Sequence, residues 1–357
     1  MRKCVALMIC ELIFIFLFVG IVAARTISVC KSGCEYNKIQ SAINAASTGD
    51  VVEITDGKIY YEGLGIPKTG VVLDCNNAEI SGRVIISGSE NTIKYCTIFR
   101  EGYGYGIVLQ GAYNNTIEYN EIYYTERGIE IESFSKGNYI YNNNLYSNDF
   151  GIFLYFSGGN IIESNNIHEN NNDGIRSQDS RFDVINSNHV YSNKEWGIVF
   201  NGAKDVNITK NEIDHNVKEG IGIGGGYYGG FLIEDNDIYS NSDGIINYND
   251  YNKIIGNRIY ENTNYGVYVG GYINDIRENI IYSNYIGIKD DSPSFFVTDG
   301  NYINNNILCP SNTEYDIEIA SNYLSSGDDN KCDTTKNWND TGTIGCKTLN
   351  IQIFFLY

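Results

Sequence analysis

From Ile93 onward the chain places apolar residues on a long, regular beat. Ile93, Ile117, Ile140, Ile162, Ile185, Ile208, Ile233, Ile254, Ile276 and Ile303 recur at intervals of 24, 23, 22, 23, 23, 25, 21, 22 and 27 residues, each within a version of the pattern N-x-I-x-x-N-x-I. Three residues after each isoleucine stands Asn, at 120, 143, 165, 188, 211, 236, 257, 279 and 306, with Cys96 in its place in the first unit. A Gly-Ile pair follows, at Gly106, Gly128, Gly151, Gly174, Gly197, Gly220, Gly244, Gly266 (before Val267) and Gly287. A third row, set in "YSN"-like stretches, holds Asn148, Asn170, Asn193, Asn216, Asn241, Asn262 and Asn284.

A period near 23 is too short for a pair of helices and suits one turn of a β-solenoid. The Ile and Val positions are strand-like, and the Asn and Gly between them are turn-like. The pattern therefore predicts an all-β protein, a parallel β-helix of about 10–12 coils and on the order of 55 Å long. Equivalent residues would stack about 4.8 Å apart, so each Asn row becomes a ladder of amide hydrogen bonds worth roughly 1 kcal/mol apiece. The repeated glycine is expected at a corner whose φ a β-branched residue could not adopt.

Before the repeat, "KIQSAINAA" puts Ile39, Ala42, Ile43 and Ala46 on one helical face, with Gly49 ending the helix. Such a helix would cover the open end of the core, since a bare end is a sticky edge. Cys75 lies 21 residues before Cys96, close to the coil period, so the two should stack at a separation suited to a disulfide. Four segments follow: 1–24 as an export signal, 25–82 as cap and first coils, 83–308 as repeats, and 309–357 as a C-terminal cap with a cysteine-bearing tail.

The N-terminus reads as a leader, with Arg2 and Lys3, an apolar run from Leu12 to Val22, then Ala23 and Ala24. Glu11 at the edge of that run weighs against a membrane anchor, so no membrane insertion is expected after cleavage near Arg25. The seven cysteines beyond the leader (Cys30, Cys34, Cys75, Cys96, Cys309, Cys332, Cys346) lie near the two ends, which fits disulfides in an oxidising setting. A net charge of −19 removes the basic footprint that nucleic acid or anionic lipid needs, and leaves cations or neutral sugars as partners.

The repeat N-x-I-x-x-N-x-I…G-I, the opening "YNKIQSAINAASTGDVVEITDGKIYYEGLGI" (36–66) and "VVLDCNNAEISG" (71–82) together resemble the right-handed parallel β-helix proteins of the pectate-lyase-like superfamily. The likeness is to the secreted, Asn-rich branch with NosD-like and carbohydrate-binding and sugar-hydrolysis (CASH) domains. The tail "NKCDTTKNWNDTGTIGC" (330–346) is similar to that of microbial, especially archaeal, surface members. The resemblance covers 27–346 and implies a right-handed solenoid and a polysaccharide or surface-glycan partner; it does not specify an activity.

The catalytic sets of the superfamily's hydrolases, lyases and epimerases are absent, as are phosphate-binding and metalloprotease motifs, and no cofactor is expected. The NosD likeness raises copper, but His168, His189 and His215 follow their ladder Asn by three, one and four residues. That offset spreads them too far for one coordination shell, so they read as surface histidines and no metal site is assigned. Asn114, Asn207 and Asn339 occupy glycan-acceptor sequons.

The strand after each Gly-Ile carries two outward rows. One reads Val108, Glu130, Phe153, Arg176, Val199, Gly222, Ile246, Tyr268, Lys289; the other Gln110, Glu132, Tyr155, Gln178, Asn201, Gly224, Tyr248, Gly270, Asp291. Their middle should form one exposed patch of acids, an arginine and rings, flanked by Asp173 and Asp179, as a saccharide groove requires. Glu132, Phe153, Tyr155, Arg176, Gln178, Tyr248 and Tyr268 are the candidate ligand-binding residues; Glu130, Glu132 and Arg176 are the candidates for catalysis. Three readings stand: a binding protein, a polysaccharide hydrolase or lyase, and a structural or adhesion spacer.

Overall fold

The computed structural model describes residues 24–346 except 101–103, 227–228, 293–299, 309–311, 321–323 and 344. The leader, Cys309 and the apolar end of the chain lie outside the described residues. Each coil contributes one strand to each of three parallel sheets, as in Thr92–Lys94 (sheet A), Thr97–Phe99 (sheet B) and Ile107–Gln110 (sheet C) before the chain returns to sheet A at Thr116–Glu118. The sheets hold 13, 11 and 13 strands, about 12 turns in all.

The isoleucine row is a stack in sheet A, and every step from Ile93 to Ile303 pairs as the period predicts. These side chains are fully buried. They meet the inward rows of sheets B and C, such as Ile122, Leu145, Ile152 and Ile175, in one continuous apolar core. The capping helix spans Ile39–Ala45 and buries Ile39, Ala42 and Ile43. It ends earlier than expected: Ala46 is already extended, and Gly49 makes a left-handed turn (φ +90°) in the loop beyond.

Both Asn rows are buried ladders. At a typical rung, Asn188 Oδ1 accepts from the backbone N–H and the side-chain Nδ2 of Asn165, both within 3.0 Å. Its own Nδ2 donates onward to Asn211 Oδ1 (3.0 Å) and back to the Ile162 carbonyl (2.9 Å). The Asn148-to-Asn284 row repeats this arrangement one corner later, between sheets B and C. A third ladder, the first Asn of the repeat, runs Asn91, Asn115, Asn138, Asn160 at the corner between sheets C and A. Cys75–Cys96 is bonded with Cα atoms 4.8 Å apart, and Cys30–Cys34 and Cys332–Cys346 are bonded at the two ends.

The Gly-Ile glycines are not where left-handed backbone is needed; none of the nine has a positive φ. They sit where a coil closely approaches its neighbour. A Cβ on Gly197 would lie 2.7 Å from the Gly220 carbonyl oxygen, 2.8 Å from Ile213 Cγ2 and 2.9 Å from Asn216 Nδ2. The left-handed position is instead the residue just before each ladder Asn, where Tyr119, Asn142, Ser164, Ser187 and Lys210 all have φ of 51–56°. So varied a set shows that the ladder bonds, rather than the residue's own preference, hold that turn.

Asn188→Ala should lower unfolding free energy by about 2–4 kcal/mol, because it strips partners from buried groups on both sides. The exposed Asn171→Ala should change it by less than about 0.5 kcal/mol, both read by guanidinium unfolding. Gly197→Ala should cost at least about 2 kcal/mol through overpacking. Gly222→Ala, whose Cβ meets nothing closer than 3.5 Å, should be near neutral.

Candidate functional site

Sheet C brings the two outward rows into the predicted register: Val108 pairs with Glu130, Glu130 with Phe153, Phe153 with Arg176, and Tyr155 with Gln178. The exposed patch does not follow, because the first row is covered. Glu130 and Phe153 are 3% and 6% exposed. The first residues of the sheet C strands fold their side chains over this row: Arg127 pairs with Glu130 and lies 4.0 Å over the Phe153 ring, and Phe150 meets Phe153 edge-on. Arg176 does not reach either glutamate; it pairs with buried Asp173 and lies against Phe150 and Trp196. Burial pushes the Glu130 carboxyl up, with Arg127 working the other way. A carboxyl under that cover cannot meet a sugar, so the trio Glu130, Glu132 and Arg176 is not assembled as a reacting set.

The second row stays open. Glu132 accepts from Gln110 Nε2 (2.9 Å), and Tyr155 is 36% exposed beside Gln178. Tyr248, also exposed, and Tyr268 lie farther along the same sheet with rings 5.5 Å apart.

Beyond that row lies a feature that the outward-row argument misses. Sheet C turns into sheet A through short corners reading "ESFSKGN" (132–138), "YFSGGN" (155–160), "QDSRFD" (178–183) and "NGAKDV" (201–206). Tyr113, Lys136, Gly158, Arg181 and Lys204 stack there as single bridges, one per coil. Phe134, Phe156 and Phe182 project around them, 74%, 42% and 64% exposed. These rings, with Tyr113, Lys136, Gly158 and Arg181 of the stack and with Ser157 and Asp179, line a groove of about 600 Å³. Tyr155 borders it, its ring 4.6 Å from that of Phe156.

All three phenylalanines are left-handed, with φ of 63°, 46° and 61°. Phe156 stacks in the row that holds Gly111, Gly202 and Gly225, and Phe182 in the row that holds Gly137, Gly159 and Gly230. A bulky residue there costs about 1–2 kcal/mol that glycine avoids. An exposed aromatic gains too little burial to explain the choice. The legible signal was a phenylalanine in a six- or seven-residue corner where sister coils carry glycine.

The three histidines divide two and one. Register is set by strand pairing, and Asp214 reaches both His189 and His215: His189 Nε2 lies 2.7 Å from Oδ2, and His215 Nδ1 lies 2.5 Å from Oδ1. His168 is apart from them, stacked between Tyr146 and Tyr191 with Nε2 3.2 Å from Asn144 Oδ1.

The family model described as the right handed beta helix region matches residues 82–229 and 197–324. The chain belongs to that family. No curated protein sequence matches it. Among solved structures, this right-handed β-helix is similar to the A-module of Azotobacter vinelandii mannuronan C-5 epimerase AlgE4, with TM-score 0.66, 17% identity, and coverage of 75% of this chain and 89% of that one. It is similar to the Dettilon tailspike protein gp208, with TM-score 0.64, 18% identity, and coverage of 79% and 64%. It also resembles PfbA, a surface adhesin of Streptococcus pneumoniae, with TM-score 0.52, 13% identity, and coverage of 75% and 86%. At these identities the likeness is one of fold.

Phe182→Asn should raise unfolding free energy by about 0.5–1 kcal/mol, because asparagine tolerates the left-handed turn. Differential scanning calorimetry of the variant beside the parent reads this directly.

Proposed function

We propose that this right-handed β-helix is an exported surface protein that binds a polysaccharide in the corner groove between sheets C and A. The observation that carries the reading is the clustering of three exposed phenylalanines around the stacked Lys136 and Arg181 in one groove. Flat rings take up the apolar faces of sugar units, and neighbouring cations, Asp179 and Gln178 provide donors and acceptors for hydroxyls. The groove extends over four coils, about 14 Å at the spacing of parallel strands, which suits a chain rather than a single sugar.

Glu132, Tyr155 and Gln178 end the sheet C strands just before the corners that line this groove, and the Tyr155 ring touches Phe156 at its edge. Tyr248 and Tyr268 offer a second set of rings farther along sheet C. Phe153 lies beneath Arg127 and Phe150, and Arg176, partly exposed, packs over Phe150 and Trp196. Export is supported by the apolar leader and by three disulfides, which persist in oxidising compartments. Among the described residues no helix is long and apolar enough to cross a membrane. The structural neighbours add support in kind: one is an epimerase of mannuronan, another a surface adhesin.

The test is retention on a panel of immobilised polysaccharides, with each incubation also assayed for new reducing ends and for ultraviolet-absorbing double bonds. The parent should be retained without product. Phe156→Ser combined with Phe182→Asn should weaken retention about tenfold or more while leaving the protein at least as stable. Product that vanishes in Glu132→Gln would replace this reading with an enzymatic one, and a parent retained by nothing on the panel would favour a spacer.

A further inference from the structure

On the outer face of sheet B a row of rings runs along the solenoid, one per coil. Phe99, Tyr123, Tyr146, His168 and Tyr191 stack in sequence with centroids 4.8–5.6 Å apart, and the run resumes at Tyr239, Tyr260 and Tyr282. Between Tyr191 and Tyr239, in register with both, stands Asp214. The one carboxylate in a row of rings is 5% exposed, and two of the chain's three imidazoles, those of His189 and His215, meet at it.

Three structural features aim ligands at this point. His189 is held flat against the Tyr191 ring, 4.1 Å between centroids, which fixes the direction of its Nε2. His215 occupies the left-handed position (φ 52°) immediately before ladder residue Asn216, so the buried ladder sets its place beside Asp214. Glu212 pairs directly with His189 across the sheet, and the Tyr239 hydroxyl donates to Glu212 Oε1 at 2.8 Å. Ligand atoms of His189, Glu212 and Asp214 all lie within 4.8 Å of one another.

We infer that His189, Glu212 and Asp214, with His215 within reach on the far oxygen of Asp214, form a binding site for a divalent cation of the zinc type. Imidazole nitrogen with carboxylate oxygen is the donor set that such a borderline cation prefers over calcium or magnesium, whose shells are built from oxygen alone. The ion enters between His189 and Asp214, and the proton they share leaves to solvent, as metal binding to imidazole requires. Tyr239 and Tyr191 then serve as the outer groups that orient Glu212 and His189. The acidic surface, with a net charge of −19, draws cations toward the site. This site is on a different sheet from the groove and does not depend on polysaccharide binding.

The experiment is isothermal titration of the chelator-treated protein with zinc chloride, with cobalt(II) absorption as a second readout of the coordination shell. One ion should bind per chain. His189→Gln and Glu212→Gln, both on the solvent-facing surface, should each weaken binding about tenfold or more and dim the cobalt bands. His168→Gln, which alters the ring stack but none of the proposed ligands, should bind zinc as the parent does. Absence of zinc binding by the parent, or unchanged affinity in His189→Gln, would overturn the assignment, as would an equal loss in His168→Gln.

Discussion

The buried asparagine ladder is the interaction on which this solenoid depends. A β-helix must turn a corner three times per coil, and each corner leaves backbone groups with no strand partner. Asparagine solves this within one side chain, since its oxygen accepts from the coil before and its nitrogen donates to the coil after and to a backbone carbonyl. The ladders are directional, and their ends are chemically distinct. They begin on groups that donate, such as the Cys96 and Thr125 N–H, and end on carboxylates: Asn330 Nδ2 on Asp340, Asn312 Nδ2 on Asp316, Asn160 Nδ2 on Asp183, and Asn301 Nδ2 on Asp290. Aligned amide dipoles present a positive end there, so an acceptor with negative charge is the complement. Asp183 also marks a fault. The next coil has Val206 at that position, the second carboxylate oxygen is left buried and unpaired, and burial pushes the group up to about 7.

Most of the fold was legible because it is a one-dimensional repeat, in which each coil contacts its neighbours and the same constraint acts every 23 residues or so. Ile117, Asn143 and Cys75 could be placed in register before any coordinates, since a slip in a stacked in-register sheet would turn buried isoleucines outward. The glycines show where periodicity stops being enough. Recurrence says that a side chain is forbidden at Gly197; it does not say whether φ or a neighbouring carbonyl forbids it. Here the carbonyl of Gly220 does.

The candidate site was legible only by halves. Glu132, Tyr155 and Gln178 face outward as alternation requires, whereas Glu130 and Phe153 also face outward but are buried. Alternation fixes direction and says nothing about what lies above. The cover comes from Arg127 and Phe150 at the first positions of their sheet C strands and from Trp196 just before another, where alternation no longer tells which way a side chain folds. The same limit hid the phenylalanine corner and the pairing of His189 with His215 through Asp214. Both depend on left-handed turn residues, and the ladder allows nearly any residue type to adopt that conformation, so the strand pattern does not single them out.

That permissiveness links scaffold to function. Because ladder bonds hold the corner backbone, the side chains on the corner are released from structural duty, and Phe156, Phe182 and His215 can occupy positions where other coils carry glycine, aspartate or serine. The cost of each left-handed bulky residue is about 1–2 kcal/mol, small against the several buried hydrogen bonds that fix the same turn. Separate corners can then carry separate chemistry on one rod: rings and cations where sheet C meets sheet A, imidazoles and carboxylates at the end of the sheet B strands. Coupling between them would have to pass through a core of stacked isoleucine and asparagine that has one close-packed arrangement, and such a core offers no second state for a ligand to select.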